Sequence, residues 1–159
     1  MSSSQYRSLG ETLKKLEISF REDNFMQEIP FAIPDYFLTD LEFMLNEGVV
    51  DNSEYAICKN LIYPILKEVW KPLAKKFTLW SHQYLNYTSN LTGFPEYILA
   101  RRSPLGKVVF DKPYFLLKDI FTRNKIFYSI QELEHLFAAV NFVFQACDRQ
   151  LDSLYNLIS

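Results

Sequence analysis

Residues 93–117 read GFPEYILARRSPLGKVVFDKPYFLL, and no other part of the chain constrains the architecture as tightly. Tyr97-Ile98-Leu99-Ala100 is a short apolar run of strand-forming residues, and Ser103-Pro104-Leu105-Gly106 has the composition of a tight turn. Lys107-Val108-Val109-Phe110 begins the next strand. Asp111-Lys112-Pro113 interrupts it, because proline has no N–H to give a ladder, before Tyr114-Phe115-Leu116-Leu117 resumes. Upstream, Thr78, Trp80, His82, Tyr84 and Tyr87 stand in a run lacking Gly and Pro that reads as a first strand, and Thr92-Gly93 reads as a turn. The spacing predicts a small antiparallel sheet over residues 77–117.

Helical periodicity brackets this sheet. After Pro34-Asp35, the residues Phe37, Leu38, Leu41, Met44 and Leu45 recur three and four apart, and Gly48 reads as a left-handed stop. A second helix opens at Asp51, with Glu54 as its capping-box partner. Its stripe runs from Ile57 to Leu73, and Pro64 predicts a kink inside it. The last helix, over residues 129–158, has Ser129 with Glu132 as a capping box and Tyr128 with Leu133 as a hydrophobic staple. Leu133, Phe137, Val140, Phe144, Cys147, Leu151, Leu154 and Ile158 form a heptad seam along it, which faces either the core or a second copy of the chain. The first ten residues are polar and Ser-rich and read as a frayed terminus. Together these elements predict one α+β domain spanning residues 1–159, with helices over 34–75, sheet hairpins over 77–117 and one long C-terminal helix.

Composition narrows the function classes. The chain has 159 residues, of which 48% are hydrophobic, 16% aromatic and 23% charged, so it can bury a core. Only four residues are Gly, which excludes collagen-like chains and multi-Gly phosphate loops. No apolar run reaches the ~18 residues of a membrane span, and the first residues lack a signal-peptide pattern. A cytoplasmic protein without membrane contact is expected. Cys58 and Cys147 sit inside apolar helical patterns and read as small buried hydrophobes.

The net charge of −2 conceals an uneven distribution. Residues 1–60 carry a net −6, residues 61–100 +2, residues 101–125 +5 and the remainder −3. The basic block contains Arg101, Arg102, Lys107, Lys112 and Lys118, a pattern that suits either a phosphate-facing surface or a solvated hairpin rim.

The chain contains no Cys-x-x-Cys, no His-Glu-x-x-His, no Gly-x-Gly-x-x-Gly, no Walker loop and no Gly-x-Ser-x-Gly elbow. His82 and His135 read as surface histidines. One arrangement carries chemistry. Glu54 opens a helix that runs into the sheet, and Glu96 stands at the start of a strand after Gly93-Phe94-Pro95. A helix glutamate, a strand-start acid, and an acid and lysine two apart on the next strand would form a metal-dependent nuclease site. The acids hold Mg²⁺ through oxygen, and the lysine orients water and offsets transition-state charge. Residues two apart share one strand face, so that spacing aims both groups at one point.

In this order (helix glutamate, Pro95-Glu96-Tyr97, the Arg-rich turn, Phe110-Asp111-Lys112-Pro113-Tyr114, apolar strand) the chain resembles the PD-(D/E)XK, restriction-endonuclease-like superfamily. It is most similar to small prokaryotic nuclease-like proteins related to the nuclease domain of type I restriction subunits. The resemblance covers residues from about 36 to 117 and resumes from Asp119 to about 151. It implies a reduced restriction-endonuclease-like fold with Glu54, Glu96 and Asp119 as site acids, of which Glu96 and Asp119 are metal ligands, and with Mg²⁺ as the cofactor of any remaining activity. The departures matter. Glu96 stands where the family has Asp, and the acid-x-Lys segment is deleted, so that Asp119 takes the acid position and Phe121 the lysine position.

These features support three expectations. One is a PD-(D/E)XK relative without catalysis whose basic hairpin still contacts DNA. Another is a residual Mg²⁺-dependent phosphodiesterase built on Glu54, Glu96 and Asp119. The third is an interaction module that self-associates through the 133–158 seam.

Overall fold

A computed structural model describes residues 27–88, 91–116 and 132–158. The expectations for the first ten residues, for Tyr128 and Ser129 as staple and cap, and for Lys118, Asp119 and Phe121 lie outside the described residues.

The first helix, α1 (Asp35–Glu47), begins after an extended Pro34 and carries Asp35 in its first turn, where a carboxylate suits the helix dipole. It ends at Gly48, but not in a left-handed conformation: φ is −93° and ψ 156°. Gly is required there by close approach, because a Cβ would sit 2.7 Å from the Met44 carbonyl oxygen. Of the expected stripe, Phe37 is buried, Leu41 and Met44 are half-buried, and Leu38 and Leu45 stay exposed. Phe37 enters the core, where its ring meets Phe137 edge-on at 5.0 Å, and Leu41 packs against the core from its half-buried position.

The second helical stretch starts two residues later than its sequence suggests. Ser53 is the N-cap, its hydroxyl accepting from the Ala56 N–H at 3.1 Å, and Glu54 is the first residue of α2 (Glu54–Ile57). The kink expected at Pro64 is replaced by a π-helical turn, Cys58–Ile62, whose wide ring closes from the Tyr63 N–H to the Cys58 carbonyl. Pro64 then falls in the first turn of α3 (Tyr63–Trp70), where a missing N–H costs little. A 3₁₀ turn, Lys71–Leu73, leads to the sheet.

The main sheet has the order β1 (Phe77–Ser81), β4 (Tyr97–Ser103), β5 (Gly106–Leu116), all antiparallel. The expected long first strand breaks at His82, whose φ of +50° turns the chain out of the ladder. It resumes as β2 (Leu85–Thr88), paired with β3 (Leu91–Gly93) in a separate two-stranded sheet, so Thr92 and Gly93 are strand residues rather than a turn. Nor does Pro113 end β5. Arg101 pairs with Asp111 and Ala100 with Tyr114, so Lys112 and Pro113 are extra residues in a bulge, where a missing N–H is tolerated. The fold is a small α+β arrangement of helices and antiparallel strands with a long C-terminal helix.

Strand β4 is buried on both faces. Tyr97 and Leu99 join the main core with the helices, while Ile98 and Ala100 pack with Leu85 and Trp80 on the other side. The C-terminal helix, α4 (Leu133–Ile158), turns Leu133, Phe137, Val140, Phe144, Cys147 and Leu151 into the main core beside Leu66, Val69 and Phe77. Its seam from 133 to 151 is therefore occupied within the chain and is not available as a homodimer surface. Each such side chain contributes about 1.5–3 kcal/mol by leaving water. At its N-terminal half, α4 is strapped by residues 28–30: the Ile29 N–H donates to the Ala138 carbonyl, and the buried Asn141 amide donates to the Ile29 and Pro30 carbonyls. Lys76 closes the other end through Asp148 at 2.8 Å.

Candidate functional site

Glu54 and Glu96 come from different elements, which one hydrogen bond between Tyr97 and Cys58 ties together. Glu54 opens α2, and Cys58 follows one turn later; Glu96 precedes β4, whose first residue, Tyr97, donates its hydroxyl to the Cys58 carbonyl at 2.9 Å. That bond ties the strand start to the π turn. Burial raises the Cys58 thiol pKa, and the charges of Glu96 and then Glu54 raise it further, against the opposing hydrogen bond of Tyr97. Both carboxylates thus act on the same thiol.

Beside them lies a cleft of about 130 Å³, walled by the rings of Tyr55, Tyr63, Tyr97 and His82 together with Cys58, Lys59 and Ser81. His82 is held in its left-handed conformation from several sides. Its N–H donates to the Glu96 carbonyl at 2.9 Å, its Nδ1 lies 2.9 Å from the Ser81 hydroxyl, and its ring sits between Tyr55 and Tyr97. Strain so over-determined is typical of a functional position. The sequence carried a signal for one wall: Tyr55, Lys59 and Tyr63 recur four apart on one helical face. It carried none for His82, which depends on where β1 stops.

Of the nuclease-like constellation, the described residues include Glu54 and Glu96. Asp119 lies outside the described residues. Among the described residues, no group of three or more His, Cys, Asp and Glu side chains is placed to hold a metal ion. Two carboxylates supply the protein's share of some Mg²⁺ sites, where water and substrate phosphate complete the octahedron, but they do not fix a metal alone.

The basic residues stand elsewhere. Arg101 and Arg102 lie five and six positions along β4 from Glu96, about 17–20 Å away at strand rise. Arg101 pairs with Asp111 at 3.6 Å. Arg102 is exposed, with one guanidinium nitrogen donating to the Ala74 carbonyl at 2.8 Å and its backbone N–H to the Lys76 carbonyl. Those bonds bring the corner at residues 74–76 alongside the hairpin, adding exposed Lys75 to the exposed Lys107 at the start of β5. Lys112 falls in the β5 bulge, and Lys118 lies outside the described residues. Glu96 and the arginines therefore occupy opposite ends of β4, and among the described residues Arg101, Arg102 and Lys107 do not line the cleft beside Glu96.

A second, larger cleft of about 310 Å³ lies between α1 and α3, lined by Tyr36, Phe37, Asp40, Pro64, Lys67 and Glu68. Glu68 is buried, and it accepts from the Tyr36 hydroxyl at 2.5 Å and from Lys71 at 2.6 Å, while Lys71 also donates to the Tyr36 oxygen at 2.7 Å. Burial pushes the Glu68 carboxyl up, but the hydrogen bonds of Lys71 and Tyr36 and the charges of Lys71 and Lys67 outweigh it and hold the carboxyl below its ordinary range. With both carboxylate oxygens occupied, this triad is a brace between helices.

No helix among the described residues is long and apolar enough to cross a membrane. No protein-family model, curated protein or solved structure matches the chain.

Proposed function

We propose that the chain is a PD-(D/E)XK-like scaffold without catalysis that associates with DNA through the basic end of its main sheet. The observation that carries the DNA-binding reading is the Arg102 guanidinium. It is anchored on the Ala74 carbonyl while remaining exposed, and Lys75 and Lys107 stand exposed on the same corner and hairpin. An anchored arginine beside exposed lysines suits phosphate binding, which is sequence-independent and salt-sensitive. The hydrogen bond that ties the strand start after Glu96 to the helical stretch that Glu54 opens supports a nuclease-like ancestry, since such a site needs a helix acid and a strand-start acid on neighbouring elements. Loss of catalysis follows from residue chemistry: Phe121 stands at the position where a lysine would orient water, and an aromatic ring supplies no cation. If Mg²⁺ binds, Glu96 and Asp119 hold it. Two free, buried thiols fit a reducing compartment, and we assign the protein to the cytoplasm.

The test is a gel series with supercoiled and linear DNA, with and without Mg²⁺ or Mn²⁺, over a range of salt. The wild-type chain retards DNA without cutting it, and retardation fades as salt rises. Arg102→Ala with Lys107→Ala lowers the salt slope by about one for each phosphate that is no longer neutralised. Metal-dependent cleavage that disappears in Glu96→Gln would overturn the loss of catalysis. Absence of retardation even at low salt would overturn the DNA association.

A further inference from the structure

Two exposed surfaces of the chain are opposite in shape and in charge. One is the tip of the β4–β5 hairpin. It stands on a tight turn, Ser103 to Gly106, in which the Leu105 N–H donates to the Ser103 hydroxyl at 3.1 Å and Gly106 takes a positive φ of +102°. Ser103 pairs with Gly106 and Arg102 with Phe110, so residues 107–109 are extra on β5 and form a further bulge. Leu105 is 78% exposed and Val108 77%, with exposed Lys107 between them in sequence and exposed Arg102 at the base. The tip is an apolar knob that carries positive charge.

The other surface is the cleft of about 310 Å³ between α1 and α3, whose wall includes Tyr36, Phe37 and Pro64. Tyr36 and Asp40 line it, and Phe43 and Glu47 continue the same line along α1 at helical spacing. Phe43 is 60% exposed. The charge here is negative. Glu68 and Lys71 pair with each other, and Lys67 is outnumbered by Asp35, Asp40, Glu42 and Glu47 of α1. No Lys, Arg or His stands between Gln27 and Cys58.

We infer that the cleft of one molecule receives the hairpin tip of a second copy, in a head-to-tail contact. This goes beyond the DNA reading, although one hairpin serves both. Complementarity selects the occupant. Leu105 leaves water against the apolar wall, while Arg102 and Lys107 approach the acids of α1, and opposite charges across the contact set its orientation. The contact does not close within one molecule, because Leu105 and Val108 stay exposed. Moreover, α1 meets α4 at Phe137 and the corner beside the hairpin meets it at Asp148, about 16 Å further along the helix. A contact between unlike surfaces leaves a tip and a cleft open at each end, so it builds short chains or rings.

Sedimentation velocity of the full chain tests this without nucleic acid, so failed DNA retention leaves the inference standing. At low salt the average mass rises between about 10 μM and about 1 mM protein, the range of a small transient contact, and falls again as salt screens the charges. Two variants at exposed positions, Leu105→Ser with Lys107→Ser and Asp40→Asn with Glu47→Gln, keep the wild-type melting temperature and each associate about tenfold more weakly. Where a double variant melts early, the single change Leu105→Ser or Asp40→Asn takes its place. Mixed in equal amounts, the two variants associate again, because one supplies an intact cleft and the other an intact tip, and assembly stops at two chains. A wild-type chain that stays monomeric throughout, undiminished association in either variant, or a mixture no heavier than its components would overturn the inference.

Discussion

Single side chains in this protein act mainly as braces, and Glu68 is the best example. Its carboxylate is buried between Lys71 and Tyr36, and its pKa in the folded chain lies below the value it has when unfolded. The sign follows from proton binding. The stabilisation is fully present above the ordinary glutamate range and is lost as pH falls through the lowered folded-state value. Glu68→Gln should cost about 2 kcal/mol at neutral pH and flatten the acid limb of a stability–pH profile, as measured by denaturant unfolding at several pH values. The two thiols offer a second check. Burial pushes Cys147 up to about 12, so it should resist alkylation in the native state at pH 8. Cys58 is raised by burial and by Glu96, and Glu96→Gln should therefore speed its alkylation. An unchanged rate would mean that the carboxylate does not reach the thiol.

At the scale of elements, α4 is the main contributor of apolar surface. Its side chains at 137, 140 and 144 are fully enclosed, which makes this helix structural rather than associative over most of its length. Phe144→Ala should cost about 3–5 kcal/mol in denaturant unfolding. Sedimentation should show no change of association state; dissociation of a wild-type dimer on this substitution would contradict the packing. The heptad spacing from 133 to 151 was readable because residues three and four apart share a helix face. Which surface that face meets was not readable, since a core seam and a dimer seam have the same periodicity. Proline misled in the other direction. Pro64 and Pro113 both looked like interruptions, and in each case a neighbouring irregularity, the π turn or the bulge, absorbs the missing N–H and lets the element continue.

For the whole molecule, the long axis of β4 separates two chemistries. Glu54, Glu96 and the aromatic cleft lie at its start, and Arg102, Lys107 and the lysine corner at its end. At about 20 Å and physiological salt, with a screening length of about 8 Å, the two ends scarcely sense each other. Glu96→Gln should therefore leave DNA retention unchanged near ~0.15 M salt, which a gel titration of that variant checks. The apolar strand at 97–100, the turn at 103–106, the stripe of the last helix and the buried cysteines were all written in local sequence, because turn residues and apolar runs mark strands and burial on a helix repeats at intervals of three and four residues. The tie between Tyr97 and Cys58, the placing of His82 beside Tyr55 and Tyr97 and the remoteness of the arginines from Glu96 had no local signature. Each depends on register and on which layer packs where, and those are settled by packing between residues far apart in the chain.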